Sequence, residues 1–340
     1  MNDVLIDTPS SRVAVRDHGG TGPAVVLLHG AGGNLLAWRH FAPLLTTEHR
    51  VISLDLRGHG HSGDGPWTWD DVLDDLDAVA AHLQLARPAV VGHSLGGMIA
   101  ALWALRHPDC PAAISLDGHR AALTHPENYA GLPEEQVHAQ LARLRAVFDA
   151  QTAAAGQPMT PEQAAAVLEQ QRTFAARTGI DVEHWLEQLQ RGWQVHGDQT
   201  LVRPGPQLLE PLRNSPEFVD ALPVFAKVTS PFLLVRATRV AGFPPEFTDL
   251  VEALHEGLRR DLAAQRRAAQ LRGPGGRRQP RHGLRSTGRG RRGRAQLPAR
   301  PPLIGDRWHR GLDAVPPRQQ NRSRQPEWGV DRGCRPRRPR

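Results

Sequence analysis

The sequence has little cysteine and no long apolar run, and each of these two shortages excludes a class of protein. The 340 residues include 2 cysteines, Cys110 and Cys334, which is too few for a disulfide framework and favours a reducing compartment. No stretch approaches the roughly 18 consecutive apolar residues of a membrane span. Residues 1–12 lack the charged-then-apolar pattern of a secretion signal. We therefore expect a cytoplasmic protein without a membrane partner.

Charge is divided unevenly along the chain. The formal net charge is +7, yet residues 265–340 hold 22 arginines and 4 acidic residues, so the preceding segment is acidic. The same tail has only 8 Leu, Ile, Val or Phe residues, too few to offset the entropy cost of folding, and is predicted to be disordered. Nucleic-acid binding by this arginine-rich tail is an alternative that we do not favour, because Trp308 and Trp328 are its only interleaved aromatics.

Short apolar runs alternate with amphipathic helical patterns up to residue 120. This alternation predicts an α/β fold with a mostly parallel sheet and helices on both faces. Strand signals stop between 121 and 220, where helices are predicted at 133–152, 161–177 and 181–193 as a helical cap. A strand at 231–236 and a helix from about 245 to 264 follow. The predicted domains are the two parts of the core, 1–120 and 221–264, the cap, 121–220, and the tail, 265–340.

The stretch 88–97 combines a buried strand pattern with a reactive side chain. An apolar run ends at Gly92-His93-Ser94-Leu95-Gly96, and a helical pattern follows through Met98 and Ile99. Glycines at 92 and 96 allow the close backbone approach of a sharp strand-to-helix turn, which would hold the Ser94 side chain outward. The plainer interpretation is a glycine-rich loop with an incidental serine. The position of the motif between a strand and a helix favours the first interpretation.

With these motifs the chain resembles the α/β-hydrolase superfamily, in its serine-hydrolase branch with a helical cap. The resemblance rests on His29-Gly30, on the loop 55–62 and on 92–97, in this order, and covers about residues 11–264. It implies that Ser94 is a nucleophile and that the N–H groups of Ala31 and Leu95 form an oxyanion hole. The resemblance also assigns Gly92, His93 and Gly96 to the sharp turn around the nucleophile, called the elbow, and His29 and Gly30 to the loop that carries the oxyanion hole. Structural hydrogen bonding is the expected role of the loop histidines, which are His29, His59, His61 and His93.

The acid of the triad has three candidates in this sequence. The family usually places it after the strand that corresponds to 231–236, but residues 237–243 contain no carboxylate. Some members carry it one strand earlier, where Asp117 stands, and we favour Asp117 over Glu246 and Asp249. An Asp-Gly pair is also a common turn signal, so a purely structural Asp117 is the alternative.

The family's catalytic histidine has no clear counterpart. It should follow one more strand, but arginine-rich sequence begins there near Gln265, and His282 has neither an apolar strand before it nor a helix after it. A shift of the reading frame near residue 265 accounts for this difference. Translation of the gene one base later would permit a peptide with an apolar strand, a His-Gly pair and the start of a helix. The histidine codon would then straddle Pro280 and Arg281.

The sequence therefore predicts a hydrolase of an ester, thioester, lactone or related carbonyl substrate, acting through an acyl-Ser94 intermediate. Its activity is expected to be lost or weakened, because a serine hydroxyl needs a base to take its proton. The alternatives are a non-catalytic remnant of such an enzyme and nucleic-acid binding through 265–340. No spacing of cysteine and histidine suggests a metal site, and no cofactor is expected. The expected partner is a small-molecule substrate, and the oligomeric state stays open.

Overall fold

The computed structural model describes residues 3–238 and 244–272. The strands are β1 (Val4–Asp7), β2 (Arg12–Asp17), β3 (Ala24–Leu28), β4 (Arg50–Leu54), β5 (Ala89–His93), β6 (Ala113–Leu116), β7 (Trp193–His196), β8 (Gln199–Val202) and β9 (Phe232–Val235). The helices are α1 (Ala42–Leu45), α2 (Trp69–His82), α3 (Leu95–Arg106), α4 (Glu134–Ala155), α5 (Pro161–Thr178), α6 (Val182–Arg191), α7 (Pro206–Asn214), α8 (Pro216–Val219), α9 (Leu222–Phe225) and α10 (Thr248–Arg272). Short 3-10 turns lie at Leu35–Trp38, Pro126–Asn128 and Pro245–Phe247.

Seven of these strands form one sheet in the order β1-β2-β4-β3-β5-β6-β9. The pairs β1–β2 and β2–β4 are antiparallel, and the remaining pairs are parallel. The fold class expected from the sequence, a mostly parallel sheet with helices, is confirmed. The register pairs Leu28 with Gly92, His93 with Leu116, and Leu116 with Val235. The residues that follow these strands therefore meet at one edge of the sheet.

The core lies on both faces of this sheet. Every residue of β3 is buried, as a central parallel strand requires. On one face, apolar residues of α2 and α3 pack together, and α3 is buried almost all round. On the other face, Trp38, Ala42 and Leu45 cover β3 and β4. The helix starts read from the sequence agree with the structure, since Thr68, Thr160 and Asp181 each accept a hydrogen bond as N-cap residues.

Between β6 and β9 the chain is mainly helical, but the expectation that strands are absent from 121–220 is wrong. The strands β7 and β8 form an antiparallel hairpin. The missed signal is the two-residue turn Gly197-Asp198, where Gly197 has a φ of 61°, which favours a hairpin. Strand β1 at the sheet edge was missed as well.

Two helix predictions need correction. The apolar residues from Leu35 to Leu45 are spaced as in one helix, but the structure divides this stretch into a 3-10 turn and α1, because Pro43 fits only the first turn of a new helix. The helix expected to end near 264 continues to Arg272, since alanine, glutamine, arginine and leucine favour helix and no glycine intervenes before Gly273. The first residues of the predicted disordered tail are therefore helical, and residues 273–340 lie outside the described residues.

Helix α10 packs on the cap. Phe247, directly before α10, and Leu250 and Leu254 of α10 belong to a second apolar cluster with Leu141 and Leu144 of α4. In the described ranges, none of the helices has both the length and the apolar character needed to cross a bilayer.

Candidate active site

Ser94 lies in a strained turn between β5 and α3. Its φ of 50° and ψ of −116° place a residue with a side chain in a region that glycine normally occupies. The turn is fixed by backbone hydrogen bonds. The Ser94 N–H donates to Leu116 O at 2.9 Å, and the Ser94 carbonyl accepts from Gly97 N at 2.8 Å. The side chain is consequently held at the carboxyl end of the sheet.

The glycines around this turn are required by close backbone approach. A Cβ on Gly92 would overlap the carbonyl oxygen of Gly96, and a Cβ on Gly96 would overlap that of Leu28. A Cβ on Gly118 would likewise overlap the Ser94 carbonyl oxygen. The glycine pattern read from the sequence thus has a steric cause at both predicted positions, and Gly118 adds a third.

The loop after β3 faces the same turn. A Cβ on Gly30 would lie 3.2 Å from the Ser94 Cβ, so the two backbones are close neighbours. The Gly30 carbonyl accepts hydrogen bonds from His29 Nδ1 at 2.8 Å and from Gly33 N at 3.0 Å. Because a trans peptide points its N–H opposite to its C=O, these bonds fix the direction of the Ala31 N–H.

Ala31 and Leu95 are the two predicted oxyanion donors. Ala31 lines the same cavity as Ser94. Leu95 is the first residue of α3, so its N–H has no carbonyl partner inside the helix. The structure thus brings Ala31 to the cavity of Ser94 and leaves the Leu95 N–H unpaired within α3, and their use as oxyanion donors stays a prediction.

Asp55, at the end of β4, organises the neighbouring loops. It is fully buried, and its carboxylate accepts from Leu35 N at 2.7 Å and from His61 N at 2.8 Å. Nε of Arg191 on α6 donates to Asp55 Oδ2 at 3.0 Å, and the charged Nη2 lies 2.8 Å from the same oxygen. This ion pair ties the helical region to the sheet edge beside the oxyanion loop.

The four loop histidines occupy different environments. His29 and His59 are fully buried, with their ring centroids 5.0 Å apart, whereas His61 and His93 are exposed. His59 Nδ1 lies 3.0 Å from the Arg57 carbonyl. The two buried rings therefore make structural hydrogen bonds around the elbow.

Asp117 follows β6 in a left-handed conformation with a φ of 58°. Its Oδ1 accepts from Ala237 N at 2.8 Å and lies 3.3 Å from His119 Nε2. Burial alone would raise the pKa of the Asp117 carboxyl, but the hydrogen bonds from His119 and Ala237 outweigh it and lower the pKa below its ordinary value. Asp117 is thus a carboxylate held beside an imidazole.

Ser94, Asp117, His119 and His255 line one cavity of about 1270 Å³. Its other walls come from the segment 120–126, from α4, from residues 202–204, from α7, and from Phe218 and Val219. Glu246 is exposed, and Asp249 lines a separate cavity with Glu252 and Arg259, so the structure brings neither to the serine. The candidate His282 lies outside the described residues.

His119 and His255 are site residues that the sequence analysis missed. For His119 a signal existed, because Asp117-Gly118-His119 places a carboxylate and an imidazole two residues apart at a strand end. For His255 there was none, since its position depends on how α10 packs against the cap. Within the described ranges, no group of three or more His, Cys, Asp or Glu side chains is arranged to hold a metal ion.

Part of the chain matches the model of a known protein family. A family model described as alpha/beta hydrolase fold matches residues 23–173. Among curated proteins, the chain is 46% identical over 98 residues to a pimeloyl-acyl-carrier-protein methyl ester esterase of Chromobacterium violaceum, covering 28% of this chain and 37% of that protein. It is 37% identical over 105 residues to a fluoroacetate dehalogenase of a Burkholderia species, covering 29% and 34%. The chain thus spans little more than a third of the length of these curated relatives.

Solved structures match over more of the chain. A hypothetical protein of Pseudomonas aeruginosa is 25% identical, with a TM-score of 0.51 and coverage of 75% of this chain and 88% of that one. The structure of E-2-(acetamidomethylene)succinate hydrolase is 20% identical, with a TM-score of 0.52 and coverage of 76% and 86%. The second likeness concerns the fold alone. One fold hosts many reactions, so the activity has to be argued from the site.

Proposed function

The chain belongs to the α/β-hydrolase superfamily, and from this premise we propose that it hydrolyses an ester, thioester, lactone or related carbonyl substrate through an acyl-Ser94 intermediate. The observation that carries the proposal is the strained turn at Ser94, which faces the Gly30-Ala31 peptide inside the large cavity. A hydroxyl held outward beside two backbone donors suits attack on a carbonyl carbon.

The steps follow from this geometry. The Ser94 Oγ attacks the carbonyl carbon while a base takes its proton, and the negative charge that forms on the substrate oxygen is stabilised by the Ala31 and Leu95 N–H groups. The bond to the leaving group then breaks, and the leaving group takes the proton. Water repeats the sequence on the acyl-serine and releases the acid.

The identity of residue 94 separates this route from that of some relatives. A dehalogenase-type displacement needs a carboxylate nucleophile, whereas this chain has a serine at the turn. Acyl transfer to Ser94 is therefore the reaction class that we favour. The cavity of about 1270 Å³ is large enough for a small-molecule substrate, and the residues of the cap that line it would select the acyl group.

Weakened activity is part of the proposal. Among the described strands, the sheet ends at β9, and the family's histidine is expected after one further strand. A shift of reading frame near residue 265 remains our account of this difference. The nucleotide sequence across codons 255–290 tests it, because a second frame that does not encode a strand followed by His-Gly would remove the explanation.

The test of the acyl-Ser94 route uses the full chain and Ser94→Ala. We expect the unsubstituted chain to react with a fluorophosphonate probe at Ser94, identified by peptide mass spectrometry, and to hydrolyse p-nitrophenyl acetate slowly. Ser94→Ala should abolish both reactions, and Ser215→Ala, a substitution at the α7–α8 junction, serves as the matched control. Turnover that Ser94→Ala leaves unchanged would remove Ser94 from the mechanism.

A further inference from the structure

The structure places one imidazole beside Asp117 and a second on the wall of the same cavity, although the family's own histidine position lies outside the described residues. His119 follows Asp117 by two residues, and its Nε2 lies 3.3 Å from Asp117 Oδ1. His255 stands on α10 and lines the cavity together with Ser94 and Asp117. A base for Ser94 can therefore be sought within the folded part of this chain.

His119 is placed to hold Asp117 rather than to serve the cavity. Only 4% of the residue is exposed, and its second nitrogen, Nδ1, is buried without a hydrogen-bond partner in the described part of the chain. A base that also returns its proton to a leaving group must present a nitrogen to the substrate. His119 is therefore suited to orient the carboxylate of Asp117.

His255 is more accessible from the cavity than His119. It is half-buried and lies on the face of α10 that lines the cavity, together with Val251 and Leu254, at helical spacings of three and four residues. The packing of α10 against α4 holds this face toward the cavity. Asp117 remains free to accept a further hydrogen bond, because the contacts of its carboxylate within the described residues both fall on Oδ1.

The charges around His255 keep it in the form that accepts a proton. Burial of the ring is the largest cause and lowers the pKa of His255. Asp117 raises the pKa, and His119, Arg236 and Arg259 lower it, so that the pKa lies below the ordinary value of 6.5. The imidazole is accordingly neutral at pH 7 and has a free lone pair.

We propose that His255 takes the Ser94 proton in this chain, with Asp117 orienting its imidazole and His119 holding Asp117 in place. The inference rests on the proposed acyl-Ser94 route. As Oγ bonds to the carbonyl carbon, its proton moves to an imidazole nitrogen of His255. The resulting imidazolium gives that proton to the leaving group when the carbon–leaving-group bond breaks, and water repeats both transfers in deacylation. In the described residues neither imidazole hydrogen-bonds to Ser94 Oγ, and we expect this contact to form with substrate bound, as it often does in such sites.

The test compares four histidine variants of the full chain: His255→Ala, His119→Ala, His282→Ala and the exposed hairpin control His196→Ala. We expect His255→Ala to slow fluorophosphonate labelling of Ser94 at least tenfold, because a general base contributes about 10²–10⁴ in rate. Added imidazole should restore part of that rate in His255→Ala alone. His196→Ala and His282→Ala should match the unsubstituted chain, and His119→Ala should show a smaller loss without rescue.

The pH dependence supplies a readout that a structural role would not move. The labelling rate of the unsubstituted chain should fall on acidification through a midpoint below pH 6.5, and this midpoint should vanish in His255→Ala. His255→Gln keeps more of the side-chain volume without a base and replaces the alanine variant if the latter melts at a lower temperature. Failure of imidazole to restore any labelling rate in a folded His255→Ala variant would overturn the inference.

The remaining outcomes separate this inference from the proposed function. A loss in His282→Ala instead of His255→Ala would assign the base to His282 and overturn the inference, while acyl transfer to Ser94 would stand. No labelling of the unsubstituted chain would also overturn it, because His255 would then not act as a base. The acyl-Ser94 route would fail separately if a chain with the downstream frame restored turned over esters equally well with Ser94→Ala.

Discussion

The Nε2 atom of His29 accepts a hydrogen bond from the backbone N–H of Leu56 at 2.9 Å. Since an amide N–H only donates, Nε2 carries no proton, and Nδ1 must donate the 2.8 Å hydrogen bond to the Gly30 carbonyl. Burial is the main cause that lowers the pKa of His29, which keeps the ring neutral. The end of β4 therefore fixes a tautomer that in turn fixes the Gly30-Ala31 peptide.

This relationship predicts different effects for two substitutions at His29. In His29→Asn the side-chain amide can replace the Nδ1 donor to Gly30, whereas His29→Gln extends toward the Leu56 N–H instead. We expect His29→Asn to retain more of the Ser94 labelling rate, because the Ala31 N–H keeps its direction. The labelling rate of His29→Gln should fall by a factor of about 10²–10³, which is the contribution of one oxyanion donor. Labelling kinetics on variants with matched melting temperatures measure the difference. Equal losses would contradict a positioning role for His29.

The residues around Ser94 show how much of the site a sequence can predict. The elbow was predictable because its requirements are local: an apolar strand, glycines where backbones touch, and a helix start. The position of Asp117 on the cavity of Ser94 was predictable for the same reason, because it is a polar residue at a strand end. His255 was not, because its place depends on α10 packing against α4, a contact between residues more than a hundred positions apart. The hairpin β7–β8 is half-exposed and lacks a continuous apolar pattern, so only its turn indicated it.

The pair Arg57–Asp75 predicts a large stability effect. The Arg57 side chain is fully buried, and it binds Asp75 through Nε at 2.7 Å and Nη2 at 2.8 Å. Asp75→Asn would remove the nearer counter-charge of a buried guanidinium and leave only the more exposed Asp71, which lies 3.2 Å from Arg57 Nη1. The free energy of unfolding should therefore fall by about 3 kcal/mol, the lower end of the cost of breaking a buried ion pair. Urea denaturation followed by tryptophan fluorescence measures this change.

The control for that pair is Asp74→Asn. Asp74 binds Arg106 at 2.6 Å, but its side chain is half exposed, so its loss should cost less than about 1 kcal/mol. If the two variants lost equal stability, burial would not be the reason for the importance of Arg57–Asp75.

His59 predicts a pH dependence of stability. The ring is fully buried, and burial, the largest cause, lowers its pKa to about 3. The unfolded chain, with a pKa near 6.5, therefore binds a proton that the folded chain does not bind between pH 6.5 and 3. The contribution of His59 to the free energy of unfolding is fully present above pH 6.5 and falls by about 1 kcal/mol for each pH unit below that value. Urea denaturation at pH 7.0, 5.5 and 4.5 measures the slope.

A matched variant isolates the contribution of His59 from those of other groups. His59→Asn can still donate to the Arg57 carbonyl but does not titrate in this range. We expect this variant to be less stable at pH 7 and to show a shallower slope between pH 6.5 and 4.5. A slope identical to that of the unsubstituted chain would show that His59 does not cause the acid sensitivity.

The exposed side of β9 predicts self-association. In the described part of the sheet, β9 is an edge strand that pairs with β6, and Leu233 and Val235 are 52% and 45% exposed on one face. An edge strand with exposed apolar side chains is a template for pairing with another chain. The substitution of both residues by threonine keeps side chains that favour strands while removing apolar surface. We expect it to lower the aggregated fraction, measured by size-exclusion chromatography with light scattering at rising protein concentration.

Val195→Thr, at a hairpin position that is 65% exposed, is the control. An equal improvement with Val195→Thr would mean that general surface hydrophobicity, and not the open edge of the sheet, drives the association.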